Sequence, residues 1–309
     1  MIITRTPLRI SFVGGGSDLP AFYREGVGCV VSATIDKYVY VAVNAQFEGR
    51  VLAHYRATED VSHARDLHHD RMRACLLSAG LINSIEVASI ADAPGSTGLG
   101  SSSAFTVGLL QALRPGATPE SYAAHAYHIE RDDCGAAIGK QDHYAAACGG
   151  LNVYRFRPDE SVEVTPIACD YAALESHMLL LYTGAARQGD AGQVLAGQQQ
   201  RHSAIRTLVN LASDFAGALQ EGNFEWCGGV LNLAWNVKRE LVSTSQIDWW
   251  YAAARDAGAW GGKLCGAGGG GFLLFLAPPE RHAAITQALG LRRVPVHIVL
   301  DGSSVIYAD

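Results

Sequence analysis

Basic blocks, long apolar runs and paired cysteines are all missing from this chain of 309 residues. Charged residues make up only 17% of it, and the formal net charge is −6 at pH 7. Nucleic acid and anionic membrane surfaces call for clustered Lys and Arg, so neither is an expected partner. No run of about 18 apolar residues occurs, so no helical membrane span is expected. The seven cysteines, at 29, 75, 134, 148, 169, 227 and 265, include no CxxC pair and are odd in number. That usage fits reduced thiols and a cytoplasmic location better than a disulfide framework. The first residues, Met1 to Pro7, lack the charged-then-apolar order of a secretory signal. His68-His69 and the pair His125 and His128 do not make a zinc ligand set.

What the chain does have is apolar mass and clustered glycine. Hydrophobic residues reach 49%, enough for a full core, and the 34 glycines gather in a few segments. The length suits two domains of the usual ~100–200 residues each. Residues 8–13 read as a strand running into Gly14-Gly15-Gly16. Residues 29–45 and 50–56 read as two or three antiparallel strands, with Asp36-Lys37 breaking the first run. Helices are expected over 66–80, 101–113, 119–132, 141–148, 190–220, 223–239, 246–258 and 279–290. Further strands are expected at 84–90, 151–156, 161–167, 177–183 and 294–300 and in the apolar run after Gly271. Hairpins mixed with helices, without strict alternation, argue for an α+β fold in two lobes. The division is placed at 1–174 and 175–309.

Three glycine-rich segments carry the functional signal. The central one, Pro94-Gly95-Ser96-Thr97-Gly98-Leu99-Gly100-Ser101-Ser102-Ser103, lies between an expected strand and an expected helix. Free amides at a helix start carry partial positive charge, and neighbouring glycines let a phosphate approach them. The loop lacks the lysine of GxxxxGK[ST], so it is not a Walker A loop. The first cluster, Gly14-Gly15-Gly16-Ser17-Asp18-Leu19, puts Leu where a dinucleotide fingerprint wants its third glycine.

The chain resembles the GHMP kinases, the superfamily of galactokinase, homoserine kinase and mevalonate kinase. Thr6 to Asp18 is similar to the first family motif, Pro94 to Ser103 to the PxxxGLGSS nucleotide loop, and Lys263 to Phe272 to the third motif. Within the superfamily, PLRISFVGGGSDLP, STGLGSSSAFTVGLL, IGKQDHYAAACGGLN, WNVKREL and GGKLCGAGGGGFLLF are similar to D-glycero-D-manno-heptose 7-phosphate kinases. The pattern is also related to the kinase half of bacterial fucokinases. His143 stands where that group usually has Gln. The resemblance implies a ribosomal S5 domain 2-like N-terminal lobe and a ferredoxin-like C-terminal lobe. It implies ATP and Mg2+ as cofactors and a sugar phosphate as the small-molecule substrate, and it leaves a homodimer open. The implied reaction is phosphorylation of heptose 7-phosphate at its anomeric hydroxyl. A fucokinase-like sugar 1-kinase and a non-catalytic sugar and ATP sensor remain alternatives.

The resemblance also assigns roles. Asp142 becomes the base, with a plain helix N-cap as its alternative, and Arg9 the cation beside it, with a structural ion pair as its alternative. Pro94, Gly95, Thr97, Gly98, Leu99, Gly100, Ser101, Ser102 and Ser103 cradle the nucleotide. Ser102 and Glu130 are the magnesium candidates; Asp132 and Asp133 read as face charges. Gly15, Gly16, Ser17 and Asp18 would meet the sugar, as would Gly268 and Gly269. Galactokinases carry Glu-His where this chain has Gly15-Gly16, which leaves room for a longer sugar. Lys140 and Arg187, with Thr183 and Gly184, are the candidates for the sugar's own phosphate.

Overall fold

The computed structural model describes residues 1–184, 202–266 and 268–309. Strand β1 (Ile2–Val13) is buried on both faces from Thr6 onward. Its partner β2 (Gly28–Ala45) runs for 18 residues and is the spine of the larger sheet. Contrary to the expectation from the sequence, Asp36-Lys37 does not break this strand. The β1–β2 register jumps between Pro7↔Tyr38 and Leu8↔Ile35, so the two residues form a bulge. Proline has no N–H for the ladder, which makes Pro7 a natural place for that irregularity. Asp36 is occupied there, its carboxylate accepting from the His297 amide at 2.9 Å.

Among the described residues the larger sheet has eight strands. The path is β12 (Ser304–Ala308), β1, β2, β5 (Ile85–Ala91), β3 (Val51–His54) and β4 (Thr58–Val61), while β6 (Leu151–Phe156) branches from β2 and carries β7 (Val162–Pro166). The smaller sheet has four strands among the described residues, ordered β11 (Arg292–Arg293), β8 (Met178–Tyr182), β10 (Phe272–Leu276) and β9 (Gly261–Leu264). The strand expected at 294–300 is instead extended chain that bridges Ile35↔Ile298 before β12 forms.

Ten α-helices pack on these sheets among the described residues: α1 (Pro20–Tyr23), α2 (Asp70–Ser78), α3 (Ser101–Leu113), α4 (Pro119–His128), α5 (Gln141–Cys148), α6 (Tyr171–His177), α7 (His202–Gln220), α8 (Phe224–Val242), α9 (Ser245–Asp256) and α10 (His282–Leu289). Helix α3 lies across β1 and β2, and the Thr4 hydroxyl donates to the Gly108 carbonyl at 2.9 Å. The expected helix 119–132 changes character at its end: α4 passes into a π-helical turn at Ile129–Asp133, which carries Glu130. A division of the chain at 174/175 would fall inside α6, and it would leave the last strand, β12, on the sheet of the first lobe. A mixed helix and sheet fold in two lobes is what the chain builds. No helix among the described residues is long and apolar enough to cross a membrane.

Candidate active site

Arg9 enters the site from β1 because its neighbours Leu8 and Ile10 point into the core while its own side chain faces α5 and the nucleotide loop. Arg9 is 4% exposed. Its Nε donates to Asp142 Oδ1 and its Nη2 to Asp142 Oδ2, both at 2.8 Å, and its Nη1 donates to the Gly98 carbonyl at 2.6 Å. The Arg9 amide also donates to the Leu99 carbonyl at 3.0 Å. A planar fork on a carboxylate fixes orientation as well as charge. Asp142 sits in the first turn of α5 and does not cap it: the N-cap is Lys140, with no side-chain cap bond.

The nucleotide loop ends in Gly100, the N-cap of α3, in a left-handed conformation with no side chain capping the helix. The first-turn amides of α3 are thus left for an anion. Ser102 is exposed, Ser101 half-buried, and Ser103 buried. Pro94 and Gly95 are exposed at the outer turn, which the Thr97 hydroxyl closes by donating to the Pro94 carbonyl at 2.7 Å. Leu99 anchors the loop in the core at 2% exposure.

The first glycine turn faces the same place. Asp18 is buried, its Oδ1 accepting from the Gly16 amide at 2.9 Å and its Oδ2 from the Gln141 amide at 3.2 Å. It therefore ties the turn to the start of the helix that carries Asp142. Burial and the nearby Asp142 carboxylate raise the Asp18 pKa, while the two amides hold it down in part. Gly139 must be glycine for this contact, since a Cβ there would overlap the Asp18 carboxylate. Ser17 turns the other way: its hydroxyl donates to the Cys29 carbonyl and accepts from the Cys29 amide, which spends it on β2.

Several expected substrate contacts are engaged elsewhere. Lys140 is 4% exposed and donates to Glu160 Oε2 at 2.6 Å and the Glu160 carbonyl at 2.8 Å, with its ammonium over the Tyr23 and Tyr127 rings. It lies beside Asp142 in sequence but points the opposite way. Gly268 abuts Val242, and the Gly269 amide donates to the Val242 carbonyl at 3.2 Å, so both serve the packing of α8. Thr183 bonds Gly271 through both its amide and its hydroxyl, which knits β8 to the third glycine segment. Gly184 stands exposed beside it. Arg187 lies outside the described residues.

Glu130 is fully buried. Its Oε1 accepts from the Thr106 hydroxyl at 2.7 Å and lies 3.3 Å from His143 Nε2, and its Oε2 is 2.9 Å from Arg71 Nε. Burial would raise its pKa, but His143, Arg71 and Thr106 outweigh that and hold it at about 2. So arranged, Glu130 does not fit a magnesium ligand, because its oxygens already face two basic side chains. Only the Ser102 hydroxyl of the expected pair is open.

Two lysines complete the site that the sequence left without roles. Lys263, on β9, donates to the Ser11 carbonyl at 2.6 Å and the Phe12 carbonyl at 3.1 Å. Lys238, on α8, comes up beneath Gly15. Both lie in motifs that stood out, WNVKREL and GGKLCGAGGGG, but nothing in the local pattern says where their tips go.

Two family models match in order: the GHMP kinases N terminal domain over residues 67–150 and the GHMP kinases C terminal over 215–291. A Campylobacter jejuni protein described as D-glycero-alpha-D-manno-heptose 7-phosphate kinase is 28% identical over 93% of each chain. A crystal structure described as a D-glycero-D-manno-heptose 1-phosphate kinase from Bacteriodes thetaiotaomicron is 27% identical, covers 100% of both chains and superposes with a TM-score of 0.82. The Arabidopsis thaliana bifunctional fucokinase/GDP-fucose pyrophosphorylase is 26% identical over 90% of this chain and 30% of its own length. With an uncapped phosphate loop, a forked Arg–Asp pair against it and both halves matched in order, the chain belongs to the GHMP kinases: it is an ATP-dependent phosphotransferase acting on an alcohol group, a sugar kinase related to the heptose phosphate kinases.

Proposed function

We propose that this kinase moves the γ-phosphoryl group of ATP to the anomeric hydroxyl of D-glycero-D-manno-heptose 7-phosphate, giving the 1,7-bisphosphate. The observation that carries the reading is the Arg9–Asp142 fork, fixed to the Gly98 carbonyl of the nucleotide loop. It supports a carboxylate beside the place where the terminal phosphate ends. Phosphoryl transfer asks the protein mainly for alignment and charge stabilisation. Asp142 accepts or orients the proton of the attacking hydroxyl, and Arg9 keeps that carboxylate aimed and offsets charge as the phosphoryl group passes. The α3 amides and Ser102 hold the phosphates, and Asp18 with the Gly15–Gly16 turn bounds the sugar.

Magnesium, entering with the nucleotide, would supply charge neutralisation on the phosphates, with Ser102 as the side-chain ligand we propose. The names of the Campylobacter and Bacteriodes relatives support a heptose phosphate as acceptor.

A second reading, a 1-kinase for an unphosphorylated sugar, draws on the fucokinase relative and on Lys140 being committed to Glu160. An ADP-release assay across sugars with and without a terminal phosphate separates the two. Heptose 7-phosphate should give the highest kcat/KM. Faster turnover of free heptose or fucose would replace the first reading with the second.

A further inference from the structure

With Lys140 turned away, the proposed reading needs another cation at the acceptor site. One stands under the first glycine turn. A Cβ built at Gly15 would lie 3.2 Å from Lys238 Nζ, 3.4 Å from Gln141 Nε2 and 3.6 Å from Ser11 Oγ. Three polar tips from α8, α5 and β1 thus converge on the space that this glycine leaves bare.

None of the three is saturated among the described residues. Ser11 is 6% exposed and its buried hydroxyl has no hydrogen-bond partner; the buried Gln141 Oε1 has none either. Lys238 makes no hydrogen bond or ion pair there; it also borders a separate, largely apolar cavity with Phe12, Trp235 and Lys263 that does not include Ser11, Gly15 or Gln141. Buried polar atoms in native proteins are normally paired. Two unpaired donors, the Ser11 hydroxyl and the Lys238 ammonium, stand with the Gln141 Nε2 around one gap, and together the three describe a socket for an anionic oxygen.

We infer that Lys238, with Ser11 and Gln141, holds the acceptor's own phosphoryl group in the space over Gly15. This rests on the reading of the acceptor as a sugar phosphate. The socket adjoins the groups proposed to do chemistry, since Gln141 precedes Asp142 and its amide binds Asp18. An acceptor anchored there by one end presents its other end to the Arg9–Asp142 fork. The electrostatics agree. Burial pushes the Lys238 amine down to about 8, with Asp18 raising it and Arg9 lowering it, so an arriving phosphate meets a weakly stabilised cation that it can hold protonated. The charged groups facing it are Asp18 on the turn, Arg9 on β1 and Lys263 on β9.

The test compares heptose 7-phosphate with free heptose in the wild type, Lys238→Ala and Lys238→Arg. Losing a charged hydrogen bond to phosphate should cost Lys238→Ala about 10- to 100-fold in kcat/KM for the 7-phosphate relative to free heptose. That loss should lie mainly in KM, with KM for ATP within about twofold and Lys238→Arg recovering part of it. Wild-type kcat/KM for the 7-phosphate should fall above about pH 8, and Lys238→Arg should flatten that fall. If Lys238→Ala fails to fold, Lys238→Gln keeps the length without the charge and is read the same way. Equal losses on both sugars, or a pure kcat effect, would overturn the inference. If the wild type itself ignores the terminal phosphate, the sugar-phosphate reading falls first, and the variants need not be consulted to know it.

Discussion

Two carboxylates in this site differ through their surroundings. Asp142 is forked by Arg9 yet a quarter exposed, so a substrate hydroxyl can reach it. Glu130 is sealed. Asp142→Asn keeps the size and loses the base: kcat should fall about 10²- to 10⁴-fold while ATP binding stays within a few-fold, measured by ADP release and nucleotide titration. Turnover near the wild-type rate would remove Asp142 from the chemistry. Glu130→Ala takes the carboxylate from the buried His143 and Thr106 and from the partly exposed Arg71. Leaving buried hydrogen-bonding groups without their partner costs about 1–3 kcal/mol, so urea unfolding should show a loss of that order. A Glu130→Ala protein of unchanged stability but with a raised magnesium requirement would instead favour a metal role.

Helices and strands were legible where the pattern was local. The nucleotide-loop helix, α5 and β6 lie at their expected bounds because capping, glycine and apolar spacing are properties of adjacent residues. The Asp36-Lys37 bulge was not, since two polar residues in a strand look like a break until the partner strand sets the register. The resemblance led us to expect Arg9 beside Asp142, and the two side chains do meet. Lys140 was misread because closeness in sequence does not give direction: one residue before α5, its side chain turns to Glu160 and the Tyr23 and Tyr127 rings instead. Lys238 and Lys263 went unassigned because their environment comes from elements distant in sequence, β1 for both and α5 as well for Lys238. At this scale the glycine segments act as a pair. Gly98 has φ +86°, and a Cβ on it would run into the Cys265 carbonyl. Gly98→Ala should therefore cost about 1–3 kcal/mol of local strain and displacement. That should appear as a lower melting temperature and a KM for ATP raised about tenfold, whereas a normal KM would show that the two loops are not coupled.

Across the whole molecule, the two sheets meet at Lys263. Its amine leaves the small sheet to donate to two carbonyls at the end of β1, the strand that also carries Arg9 and leads into the glycine turn. Burial is the main reason its pKa drops from 10.5 to about 7, and the Lys238 charge lowers it further. The folded protein thus gives up this proton at a lower pH than the unfolded chain does. Between about pH 7 and 10.5 the unfolded state binds more protons at this residue, so stability rises with pH across that window. Below about 7 both states are protonated and the slope vanishes. Lys263→Met preserves volume and removes the titration. The wild-type-minus-variant difference in unfolding free energy, from urea curves at successive pH values, should increase by up to about 1.4 kcal/mol per pH unit within the window. A difference that is flat from pH 7 to 10 would mean that Lys263 remains fully charged in the fold. The joint between the sheets would then be a buried ammonium held by its carbonyls and not a neutral amine.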